Sequence, residues 1–187
     1  MTDERIAALE QRLQTLEDER AIMRVIAAYG PLVDSGDAAA AADLWASDGT
    51  YDVGDWVMSS RADVAAMVES EAHQGLIRRG CCHFFGPPVV TVTGDTAVAV
   101  CESVLMVRGD EHGYRIMRAG VHLVNLRRNG KRWEITDRTA RQLDGSGRAL
   151  LLHRLLLLGF LLLLGQGHLY LLLALCELYE MYLSLSD

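Results

Sequence analysis

Three ionisable side chains sit among apolar neighbours, where a charge is expensive. Asp34 closes the stretch Tyr29-Gly30-Pro31-Leu32-Val33-Asp34, His83 lies in Cys81-Cys82-His83-Phe84-Phe85, and His122 lies in Val121-His122-Leu123-Val124. An unpaired buried charge costs several kcal/mol, so such groups are either paired with one another or kept for a task. Their types are those of general acid–base chemistry. A histidine titrates near neutral pH and can take a proton in one step and return it in the next. An aspartate can hold one imidazole through a charge-assisted hydrogen bond and fix its tautomer. The expectation is that the three meet in one pocket. The plainer alternative is a hydrogen-bonded core histidine and an Asp34 that only bonds the Ser35-Gly36 turn.

The elements that must position these residues are legible from periodicity. Residues 3–28 carry Ile6, Leu9, Leu13 and Leu16, then Ile22, Ile26 and Tyr29, which predicts an arm followed by a core helix. The run Glu17-Asp18-Glu19-Arg20 between them reads as a solvated face. Pro31 can kink or end the helix, and the spacing to Val33 allows one more turn, so Asp34 falls at a helix end. Asp37 is the expected cap of a short helix over 38–46, a short strand follows at 50–53, and Ser59 or Ser60 caps a helix running to Gly80. His73 reads as exposed on that helix. Strands are expected at 82–93, 96–108, 114–128 and 131–142, with Asn129-Gly130 the strongest hairpin signal. Short turns between long strands predict an antiparallel sheet, and helices before strands predict an α+β class.

Bulk properties narrow the function. With 187 residues and a formal charge of −7, one ordinary domain is expected, with no nucleic-acid partner. The charged start predicts a cytoplasmic protein without a leader. The cysteines at 81, 82, 101 and 176 have no Cys-x-x-Cys spacing and read as small hydrophobes. There is no glycine-rich phosphate loop and no metal-ligand pair at helical spacing, so neither cofactor nor metal is expected. The stretch 147–187 is a separate leucine-rich extension to a domain over 1–146. Its longest apolar run stops near half of the roughly 20 residues a membrane span needs. It predicts helices that cover the domain or a subunit interface, and a membrane-surface segment is the alternative.

The order of elements, together with residues 28–37 (AYGPLVDSGD), the segment from Trp45 to Val53, His83, Thr93-Gly94-Asp95-Thr96-Ala97 and Trp133-Glu134-Ile135, resembles the SnoaL-like branch of the nuclear transport factor 2-like superfamily over residues 5–145. The resemblance implies a cone: a strongly curved antiparallel sheet wrapped around N-terminal helices, enclosing an apolar pocket. Within it, Asp34-Ser35-x-Asp37, His83-Phe84 and His122 with Asn125-Leu126 are similar to scytalone dehydratase. Tyr29, Asp34 and His83 are spaced as in bile-acid 7α-dehydratase, whose cationic partner would correspond to Arg138. Two tyrosines of scytalone dehydratase fall here on Val33 and Val53, which argues against scytalone itself as substrate.

The resemblance implies a cofactor-free lyase of dehydratase type, or an isomerase or cyclase, acting on a small hydrophobic ring. His83 or His122 would be the base, Asp34 its partner, and Tyr29 or Tyr51 a donor toward the carbonyl oxygen. Tyr51, Trp56, Phe85 and Arg138 would shape the pocket. A homo-oligomer, dimer or trimer, is expected because an open curved sheet leaves a convex face to cover. The alternative is a non-catalytic small-molecule-binding or oligomerisation module of the same fold.

Overall fold

One long helix carries the first two site residues and sets the position of everything after it. The computed structural model of the chain describes residues 2–110, 113–147 and 149. Helix α1 (Asp3–Ser35) exposes Leu9, Leu13 and Leu16 but buries Ile22, Ile26, Tyr29 and Val33, so its first half projects and its second half is core. Pro31 lies inside this helix, and the last turn survives it. Gly36 ends the helix at φ 77°, where its N–H and that of Asp37 reach back to the carbonyls of Leu32 and Val33. Asp34 therefore sits in a rigid final turn.

Asp18 corrects the expectation of a solvated charge run: it is buried, and its carboxylate takes Arg128 at 2.6 and 2.8 Å and the Trp133 indole N–H at 3.1 Å. This clamps α1 to the far end of the sheet. Helix α2 (Ala38–Ala42) is capped by Asp37, which accepts from the Ala40 N–H at 3.0 Å. It stops short of the expected end because Trp45 and Ala46 already belong to strand β1 (Trp45–Asp52), followed by β2 (Val57–Met58). The single helix expected up to Gly80 is two, α3 (Arg61–Glu69) and α4 (Glu71–Arg79), divided at Ser70, whose extended backbone and hydroxyl cap the second.

The strands are β3 (Cys81–Phe85), β4 (Val89–Thr93), β5 (Thr96–Arg108), β6 (Tyr114–Asn129) and β7 (Arg132–Gln142). The expected strand over 82–93 is broken at Gly86-Pro87-Pro88, because proline has no N–H to give the β5 ladder. Both halves pair with β5. The sheet runs β2-β1-β7-β6-β5-β3, with β4 on β5. It is antiparallel except that β1 runs parallel to β7, a departure from the expected pattern made possible by the long chain segment between them. Register shifts at Leu105/Met106 and at Asn125/Leu126 bend the long strands, and the curved, unclosed sheet wraps the helices as the resemblance implied.

The inner face packs Ala99, Val124 and Ile135 against Ile22, Ile26 and Val33 of α1 and Val64 and Val68 of α3. A second, smaller cluster joins Val100 and Val121 with Ala149. The leucine-rich stretch beyond it, and with it the expectation of a covering helical extension, lies outside the described residues. No helix among the described residues is long and apolar enough to cross a membrane.

Candidate active site

The site begins with a close approach of helix to strand. Gly30 of α1 lies so near β3 that a Cβ there would overlap the His83 carbonyl oxygen. Asp34, one turn later on the same helix face, thereby reaches β3. Its Oδ2 accepts the His83 backbone N–H at 2.8 Å, its Oδ1 accepts the His83 ring Nδ1–H at 2.6 Å, and Oδ1 also takes the Cys81 thiol at 3.3 Å. A carboxylate at a helix C-terminus faces the negative end of the dipole. Burial also opposes its ionisation, but the hydrogen bonds from the His83 ring and backbone, the His83 charge and the Cys81 thiol outweigh it and hold Asp34 below the usual carboxylate range.

With Nδ1–H committed to Asp34, the neutral form of His83 has its lone pair on Nε2, on a ring that lines the cavity. His73 corrects the sequence reading. It is buried, lines the same cavity, donates from Nε2 to the Val33 carbonyl at 2.9 Å, and stacks on His83 with ring centres 5.6 Å apart.

His122 stands in a different set. Arg138 donates to its Nδ1 from Nε and Nη2 at 3.3 and 3.2 Å, so the ring proton is on Nε2, 2.7 Å from the Ser103 hydroxyl oxygen. Burial, followed by the charges of Arg138 and Arg118 and of His83, pushes His122 well below the ordinary histidine range and keeps it neutral. Arg138 is itself buried, in a cage formed by the rings of Tyr29, Tyr51, Phe85 and Trp45 at 4.2, 4.6, 4.9 and 5.9 Å. Those faces offset part of the cost of burying a cation that has no carboxylate partner among the described residues. Ser103 pairs across the ladder with Phe85 on one side and Gly120 on the other. The missing Gly120 side chain leaves room beside both the Ser103 hydroxyl and His122 Nε2.

These groups surround a cavity of about 210 Å³, open on one side, with walls that include Tyr29, Tyr51, Met58, Met67, Phe85 and Leu105. Of the eight residues named from the sequence, Tyr29, Tyr51, Trp56, His83, Phe85 and His122 line it, and Asp34 and Arg138 stand directly behind His83 and His122. Burial, together with the neighbouring Tyr51, raises the Tyr29 phenol well above its ordinary value, so it stays protonated. Sequence reasoning missed Ser103, Cys81, His73 and Arg118. Only Ser103 had an available signal, a polar residue at an inward-facing position of an apolar strand.

Asp34, Cys81 and His83 present ligand atoms within 4.8 Å of one another, the spacing of a metal site. Here these atoms are joined to one another by hydrogen bonds, and burial and the Asp34 carboxylate push the Cys81 thiol up to about 12, so it acts as a donor to Asp34.

The SnoaL-like domain model matches residues 14–139 of the chain. An NTF2-like protein with a cystatin-like fold from Novosphingobium aromaticivorans is 41% identical, over 77% of this chain and 94% of that one, with a TM-score of 0.75. A protein of unknown function from Mycobacterium tuberculosis is 23% identical over 72% of this chain and 75% of that one, with a TM-score of 0.62. A candidate scytalone dehydratase from Novosphingobium aromaticivorans, 18% identical over 68% of this chain and 85% of that one, superposes with a TM-score of 0.59. The last two likenesses carry the fold alone. No curated protein matches the chain.

Proposed function

The chain belongs to the SnoaL-like domain family, and from that premise we propose that it is a cofactor-independent lyase of dehydratase type acting on a small hydrophobic ring. The observation that carries this reading is the His83–Asp34 pair, 2.6 Å apart, with the His83 ring on the wall of an apolar cavity.

In this reading a β-hydroxy ring ketone lies in the cavity. His83 Nε2 removes the proton next to the carbonyl, and the electron pair moves into an enolate. The Ser103 hydroxyl, whose own oxygen accepts the His122 Nε2–H, donates to the enolate oxygen. Arg138 behind His122 polarises that neutral imidazole, and the Tyr29 and Tyr51 phenols supply further donors. The enolate then expels the β-hydroxyl, which leaves as water with the proton returned by the His83 imidazolium. One C–H and one C–O bond break, one C=C bond forms, and no electrons are exchanged with a cofactor. Asp34 stabilises the imidazolium between the two steps.

The exposed line of Ile6, Leu9, Leu13 and Leu16 on α1 recurs at alternating three- and four-residue spacing, which suits a seam against a second copy, so the protein in this reading is a homo-oligomer.

The test is turnover of a panel of β-hydroxy ring ketones, followed by the absorbance of the conjugated product. Elimination by the wild type, and its loss in Asp34→Asn and His83→Gln with the fold intact, supports the reading. A panel that binds but is not turned over leaves a small-molecule-binding module instead.

A further inference from the structure

The cavity carries positive charge that no carboxylate of its wall answers. Arg118, on the inward face of β6 opposite Leu105, is half-buried and lines the cavity. Its guanidinium makes one long hydrogen bond, 3.4 Å to the carbonyl of Val53, another wall residue. Arg61, Arg127, Arg128, Arg132 and Arg141 each reach a carboxylate, whereas Arg118 has none among the described residues. No Asp or Glu is among the wall residues, and the nearby Asp34 is committed to His83 and Cys81. Arg138 adds a second buried cation one layer back, and both arginines act on His122 to keep it neutral. So a chain of net charge −7 keeps a positive field at this concave, mostly apolar place. Clefts with one sign of charge and low-dielectric walls concentrate ligands of the opposite sign.

We propose that the ligand of this cavity is an anionic ring compound, an aromatic or alicyclic monocarboxylate, whose carboxylate pairs with the planar fork of Arg118 while its ring lies against Met58, Phe85 and Leu105. Arginine suits this role because its paired donors match the two oxygens of a carboxylate, and it stays charged at every working pH. This deepens the lyase reading by naming the substrate class, and it rests on that reading only for the cavity being the substrate site. Arg118 is then the specificity residue. The Ser103–His122 pair remains for the reacting carbonyl and Arg118 for the carboxylate that anchors the ring.

The experiment is calorimetric titration of the full chain with 2-naphthoate and with its neutral isostere 2-naphthamide, for the wild type, Arg118→Gln and Arg118→Lys. The wild type is expected to bind the carboxylate at least about tenfold more tightly than the amide, as for other charge-assisted pairs. Arg118→Gln removes that preference by weakening naphthoate alone, and Arg118→Lys restores it in part. Equal affinity for the two probes, failure to bind either, or equal weakening of both by Arg118→Gln overturns the proposal. The two readings fail separately. A carboxylate preference without turnover of any hydroxy ketone counts against the lyase and leaves the anion site standing. Turnover of neutral rings by a protein with no preference does the reverse.

Discussion

The Asp34 carboxylate holds His83 at two points, with Oδ1 2.6 Å from the ring Nδ1 and Oδ2 2.8 Å from the backbone N–H. The first contact fixes the tautomer. The second ties the carboxylate to the strand from which the ring projects, so Asp34 cannot turn away without breaking both bonds.

Asp34→Asn keeps the size of the side chain and removes its charge. Turnover should fall by about 100-fold or more, the range of one general acid–base partner, while naphthoate binding changes little because Arg118 is untouched. The check is kcat and probe affinity measured on the same preparations, with circular dichroism to establish the fold.

Gly30→Ala should damage the site from behind. The added methyl would overlap the His83 carbonyl oxygen, which is backbone and cannot swing aside. Separating α1 from β3 is expected to cost about 1–3 kcal/mol, as for other overpacked positions. Thermal unfolding reads the stability loss, and the nitrogen shifts of His83 read the loss of its contact with Asp34.

The pH dependence of stability has a definite sign. His122 is held neutral in the fold, with its folded value below the unfolded one. Its contribution is therefore complete above about 6.5, the unfolded value, and declines as pH falls below that. Asp34 is also depressed, so its contribution is present above its unfolded value of about 3.9 and is lost as pH falls through the folded value. Both groups make acid destabilising. Unfolding midpoints should fall from pH 7 to pH 5, and His122→Asn should flatten that part of the curve while leaving the more acidic limb in place. In NMR, His122 should show the neutral Nε2–H form at pH 7.

Leu13→Glu should reduce the association state, because it places a charge in the middle of the exposed line on α1. Light scattering of the wild type and variant reads the change. Identical masses for the two would place any self-association elsewhere.

Much of this site was legible before the fold was known, for a physical reason. Asp34, His83 and His122 stood out because a charge among apolar residues is costly, and the spacing of the Asp34 segment is that of its family. The partner of each histidine was not legible. His122 bonds Ser103 and Arg138 through strand pairings that depend on the register shifts in β5 and β6, which no local pattern records. Arg118 lies next to Met117, Ile116 and Arg115 on a strand end that reads as solvent-facing, and only the curvature of the sheet turns it inward. Helical phase over a single helix running to Gly80 puts His73 outward. The break at Ser70 resets that phase and carries the ring against His83. Asp18 was misread because its partners Arg128 and Trp133 are more than a hundred residues away.

The most direct measurement of the central claim, that His83 paired with Asp34 is a base facing the cavity, is proton exchange in deuterated water. Cyclic ketones bearing a carboxylate and lacking a leaving group are incubated with the protein, and loss of the α-proton signal is followed by NMR. The account predicts exchange well above buffer for the wild type and exchange near buffer for both His83→Gln and Asp34→Asn, with naphthoate still bound by each variant. Wild-type exchange no faster than buffer for ketones that demonstrably occupy the cavity, or exchange unaffected by Asp34→Asn, would contradict it.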